Sequence, residues 1–166
     1  MRTLPHDDYI EAVTVALDTA GLPTDDARTD DCETRGTYCY LNGVIEVDLQ
    51  HTSHAEAWPH GLLLIWEWHT GIEADQGEPD RGPQWLFAES NEDGSNAYPT
   101  VLPVYGYASP AAIAEAARKV VSREVRPTSF DGGPSTWTGA PIGNTWERHA
   151  ELDTACEAWG AQETAE

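Results

Sequence analysis

The chain carries 29 Asp and Glu against 9 Lys and Arg over 166 residues, a formal charge of -20. That sign repels nucleic acid and anionic membrane and favours cationic partners, and no apolar run is long enough to span a bilayer. An apolar share of 40%, with 7 Trp and 6 Tyr, excludes a disordered acidic tail and suits one domain with its own core.

The N-terminus lacks the basic-then-apolar layout of a secretory signal and carries Asp7, Asp8 and Glu11. Residues 5–20 read as a helix: Pro5 suits the first helical position, Gly21 and Pro23 form a stop, and Tyr9, Ile10, Val13, Leu17 and Ala20 share one face. Residues 22–36 are polar and acidic and read as a loop. The Asn42-Gly43 pair predicts a hairpin turn, setting Tyr40 opposite Ile45 and Tyr38 opposite Val47; one longer strand broken at Gly43 competes with it. The apolar run Gly61–Trp68 reads as a central strand covered on both faces for most of its length, with Leu62, Leu64, Trp66 and Trp68 on one side and Leu63, Ile65, Glu67 and His69 on the other. Residues 84–88 read as another strand. Residues 101–107 make a weaker one, which Pro99 and Pro103 push to an edge or a bulge.

Ser109-Pro110 opens a second helix with Ser as N-cap, buried through Ile113, Ala117, Val120 and Val121 and closed by Pro127. Residues 127–144 read as an extended linker. A third helix is predicted from Thr145 to about Trp159, with Asn144 and Glu147 as a capping box and Trp146, His149, Leu152, Cys156 and Trp159 as its stripe. The order predicts an α+β fold: an antiparallel sheet of about four to five strands with two helices packed on one face, plus a C-terminal helix after a linker. The α+β domain spans 1–126, the linker 127–144 and the C-terminal helix 145–160, docked on the domain. Cys32, Cys39 and Cys156 are odd in number and unrelated in spacing, which points to a reducing cytoplasm and not to a disulfide framework.

No phosphate loop, dinucleotide fingerprint, nucleophile elbow or zinc-protease motif occurs. His51, His54 and His60 cluster before the strand at 61, with Glu56 among them, and imidazoles at this spacing suit zinc; ordinary loop histidines are the plainer reading. Glu67 and His69 share a strand face and could exchange a proton in a cleft, or simply end a buried strand. Glu89, Asn91, Asp93 and Gly94 fit a calcium loop poorly, because Thr100 stands where the bidentate Glu belongs. Residues 109–126 reverse the local charge, with Arg118, Lys119, Arg123 and Arg126 against Glu115 and Glu124. Such cations suit a helix C-terminus facing carboxylates of the same molecule. Trp137, Trp146 and Trp159 either dock the C-terminal helix on its own domain or offer anchors to a partner.

Leu64-Ile65-Trp66-Glu67 leading into His69-Thr70-Gly71, and Tyr107-Ala108-Ser109-Pro110 before an Ala/Val-rich helix, resemble a small actinobacterial domain family of unknown function. The likeness covers about residues 5–125 and departs at 72–84 and in the C-terminal helix. It implies a cytoplasmic actinobacterial protein, often encoded near mobile elements or regulators, and it transfers no catalytic residue. The leading expectation is a non-enzymatic acidic protein with no cofactor that engages a basic protein partner, of inhibitor, immunity or regulatory type, in its sharpest form a nucleic-acid mimic. It binds neither nucleic acid directly nor membrane. The alternatives are a zinc-dependent enzyme using His51, His54 and His60, and an accessory domain of a larger assembly.

Overall fold

The computed structural model describes residues 4–34, 37–70, 81–97, 99–127, 137 and 139–161. Helix α1 (Asp7–Thr19) buries Tyr9, Ile10, Val13 and Leu17 and places Asp7 and Asp8 at the positive end of its dipole. It stops at Gly21, whose φ of 85° is open to glycine at no steric cost, and the Leu22 amide closes on the Leu17 carbonyl at 2.9 Å.

The segment after α1 is not a loop. Strand β1 (Thr24–Thr34) pairs antiparallel with β2 (Thr37–Val47). The strand is hard to see in the sequence because its side chains do not alternate apolar and polar: it lies at the border of the sheet, where carboxylates meet water on either face. The chain does not turn at Asn42-Gly43 either. β2 runs through that pair without a break, and Gly43 stands opposite Thr29 on one side and Trp66 on the other. The glycine serves a close approach: a Cβ there would lie 2.7 Å from Ile10 Cδ1 and 2.9 Å from Cγ1. Helix α1 therefore rests on bare strand backbone, and His6 Nε2, just before the helix, meets the Asn42 carbonyl at 2.7 Å.

Strands β3 (Leu62–His69), β4 (Arg81–Glu89) and β5 (Thr100–Val101) complete a five-stranded antiparallel sheet in the order β1-β2-β3-β4-β5. Leu62, Leu64, Trp66 and Trp68 are buried, while Leu63, Ile65, Glu67 and His69 are half-buried. β3 is thus covered fully on one face only, a correction to the two-sided expectation. The strand expected over 101–107 shrinks to two residues, with the Leu102 amide still held by the Trp85 carbonyl at 2.8 Å; Pro103 has no N–H to continue the ladder.

Helix α2 (Pro110–Val121) starts as expected: the Ser109 hydroxyl accepts from the Ala112 amide at 3.2 Å. It packs beside α1. Helix α3 (His149–Ala161) starts later than its sequence suggests. The Asn144 carbonyl accepts from the Ser109 amide at 2.7 Å, and the Trp146 amide donates to the Tyr107 carbonyl at 2.7 Å. Residues 144–146 thereby run alongside 107–109 and are unavailable as a helix cap. Residues 128–136 and 138 of the expected linker lie outside the described residues; further along, Ile142 is buried and its amide meets the Pro103 carbonyl at 2.8 Å.

The core lies between the helices and one face of the sheet. The Tyr9 hydroxyl donates to the Ala108 carbonyl at 2.5 Å and accepts from Trp85 Nε1 at 3.0 Å; burial pushes the pKa of that hydroxyl upward. Trp58, fully buried, donates to the Val121 carbonyl at 2.9 Å and ties the loop before β3 to the end of α2. Among the described residues all three helices sit on this face, and none covers the other. No described helix is long and apolar enough to cross a membrane.

Candidate functional site

The three histidines expected to share a metal do not converge. His51 and His60 are exposed and His54 is half-buried. His54 lines a shallow cleft with Glu115 and Lys119, whereas His60 lines a different one with Asp25, Glu46 and Asp48. Buried Trp58 and the Gln50 Nε2 bond to the Pro59 carbonyl at 2.9 Å fix this stretch as a series of turns, which spreads the rings instead of stacking them on a helical turn. Among the described residues no group of three His, Cys, Asp or Glu is placed to hold a metal ion.

The tryptophans offered as partner anchors belong to the fold. Trp146 is buried with its ring 5.0 Å from Tyr9, and Trp159 is buried edge-on against Trp68 at 6.2 Å. Neither presents a face to a partner, because each fills the space between α3 or its lead-in and the sheet. Trp137 is half-buried; its Nε1 donates to the Ala140 carbonyl at 2.9 Å, and Lys119 Nζ sits 5.6 Å from its ring centre. The Tyr107 hydroxyl donates to Asp153 at 3.1 Å and fastens α3 from the other side. Burial pushes the nearby Cys156 thiol up to about 12, so it is an inert thiol within the core.

The basic patch of α2 is consumed internally. Glu115 lies 3.3 Å from Arg118 and 3.6 Å from Lys119, and Arg123 stacks on the Trp58 ring at 4.0 Å with Glu89 at 3.9 Å. Arg123 also occupies a left-handed conformation, φ 68°, where the helix ends. The 91–95 segment is a polar turn, closed by Asp93 accepting from the Ser95 amide at 3.0 Å. Glu67 and His69 do lie together, 3.6 Å apart, with Gln84 donating to Glu67 at 2.6 Å and the His69 ring stacked on Tyr40 at 4.8 Å.

That last cluster belongs to the sheet face that no described helix covers. The strand register lays out its rows, since directly opposed residues share a face. Arg28, Val44, Ile65, Leu86 and Val101 form one row across all five strands. Asp26, Glu46, Leu63 and Ala88 form the next on one side; Asp30, Asn42, Glu67 and Gln84 form the next on the other. The face therefore has an apolar middle and a polar periphery, and its carboxylates gather toward β1.

β1 is also the sheet's border, and its described side chains include Asp25, Asp26, Asp30 and Asp31 against Arg28 alone among bases. Asp25, Asp26, Ala27, Arg28 and Asp30 are exposed. Arg28 lies 3.2 Å from Asp26 and 3.7 Å from Glu46, pairs more than two-fifths exposed and so worth little. On the helix side the Thr29 hydroxyl meets Asp7 at 2.5 Å, binding the border strand to the start of α1. The charge of this region was plain in the sequence; its strand was not, and Thr24, Thr29 and Thr34 were the faint signal available. Compared with known proteins, the chain matches no family model, no curated protein and no solved structure.

Proposed function

We propose that this is a non-enzymatic binding protein that engages a basic protein partner through β1 and the adjoining sheet face that no described helix covers. One observation carries the reading: an acidic border strand lies beside a half-buried apolar row that no described helix covers. Opposite charge on a partner would raise the encounter rate and select cationic surfaces, while Val44, Ile65 and Leu86 supply area to bury. The same field disfavours nucleic acid and anionic lipid. A cytoplasmic location is part of the proposal, since an odd cysteine count and a buried free thiol at Cys156 suit a reducing compartment.

The test is capture from native lysate on immobilised protein. At about 50 mM salt the protein should retain a basic protein and release it at about 500 mM, where the screening length falls to a few ångströms. The exposed double variant Asp26→Lys, Asp30→Lys should retain none. Retention indifferent to both salt and charge reversal, or no basic protein retained at low salt, would defeat the reading.

A further inference from the structure

The geometry points to strand addition at β1 as the mode of recognition: an extended, Lys- or Arg-bearing segment of the partner pairs with this border strand and lengthens the sheet to six strands. The inference rests on the proposed binding function and goes beyond it by naming the element, the partner's conformation and its charge spacing.

Carboxylates alone would not carry it. The second observation is the backbone. Among the described strands β1 pairs on one side only, with β2, and in such a border strand every second residue turns its N–H and C=O outward. The register with β2 is unbroken from Asp26 to Cys32, between a shift at Thr24/Asp26 and another at Cys32/Glu33. This regular stretch has room for one strand of ordinary length, about 5–6 residues. Natural sheets protect such borders by making them short, covering them or charging them. β1 is long, and its Asp25, Asp26, Ala27, Arg28 and Asp30 are exposed, so charge is the protection in use.

That protection is selective. A second copy of this chain carries the same formal charge of -20 and is repelled. A cationic segment is not. Side chains of an added strand stand directly opposite those of β1, so on the face that no described helix covers they meet Asp26, Arg28 and Asp30 in turn. The complementary segment has cations at i and i+4, opposite the two aspartates, and a neutral or acidic residue between them opposite Arg28. Its i and i+4 side chains also lie near Glu46 and Asn42, the next residues in those two rows.

The probe is a synthetic β-prone peptide, matched in length to β1, with Lys at i and i+4. Beside it runs the same sequence N-methylated at every backbone amide, which keeps every charge but leaves no N–H to pair as a strand. At low salt the unmethylated peptide should bind and slow hydrogen exchange of amides within 26–32, N-methylation should weaken binding at least about tenfold, and Asp26→Asn with Asp30→Asn should weaken it several-fold. If the methylated peptide binds as tightly, strand addition is overturned while recognition of basic partners stands. Failure of the unmethylated peptide to bind at low salt overturns it as well, as does dimerisation of the chain through β1; loss of lysate capture would instead strike the broader function.

Discussion

His6 is the buried group most exposed to a change of pH. Its ring stacks on Trp66 at 5.2 Å and donates through Nε2 to the Asn42 carbonyl, while Nδ1 has no hydrogen-bond partner among the described residues. Burial pushes its pKa below 6.5, against the pull of the Asn42 carbonyl and of the carboxylates of Asp7, Asp31 and Asp30. The imidazole is therefore neutral in the fold and takes up its proton first in the unfolded chain. Its stabilisation is complete above pH 6.5 and is lost as pH falls through that value toward the folded pKa, adding a slope of at most about 1.4 kcal/mol per pH unit. An NMR titration of the His6 ring should place its midpoint below 6.5, and the melting temperature should begin to fall as pH drops from about 7 toward 5.5. A midpoint above 6.5 would mean that the carboxylates of α1 and β1 outweigh desolvation.

Between elements, the contact of α1 with β2 is a close approach that lends itself to a direct test. Glycine inside a strand ordinarily weakens it, so Gly43→Ala would stabilise an isolated sheet. Here the new methyl would press on Ile10 at 2.7 Å, and Gly43→Ala should destabilise by about 1–3 kcal/mol in denaturant unfolding. In an Ile10→Ala background the penalty should shrink by more than about 0.5 kcal/mol, the mark of direct coupling; equal penalties in both backgrounds would place the glycine's role elsewhere. The same contact explains why local patterns misled. Asn-Gly is a strong turn signal over two residues, but the helix above it needs a strand without a side chain, and the tertiary demand prevails. Periodicity did reveal α1 and α2, because each presents one apolar face to one core; β3 showed as an apolar run, whose one-sided burial the run concealed. Periodicity failed for β1, which has water on one side and a carboxylate at nearly every second step. The candidate site lay in that blind spot: its charge could be counted from the residues, whereas its shape depends on pairing with the strand that follows it in the chain.

For the molecule as a whole, salt should act with opposite signs on folding and on binding. At a formal charge of -20 the fold repels itself, so raising ionic strength from about 0.01 M to 0.15 M, which shortens the screening length from about 30 Å to 8 Å, should raise the melting temperature. Over the same range, capture of a basic partner should weaken. A melting temperature that falls with salt would mean that the ion pairs at Arg28, Lys119 and Arg123 outweigh the repulsion.

The two ends of the sheet are unequal. At one lies β1, eleven residues long; at the other lies β5, only two. Of the sheet's two described border strands, only β1 is long enough to take an added strand of ordinary length. The proposed strand addition therefore predicts one bound segment per chain, which titration with the cationic peptide should read as a one-to-one stoichiometry.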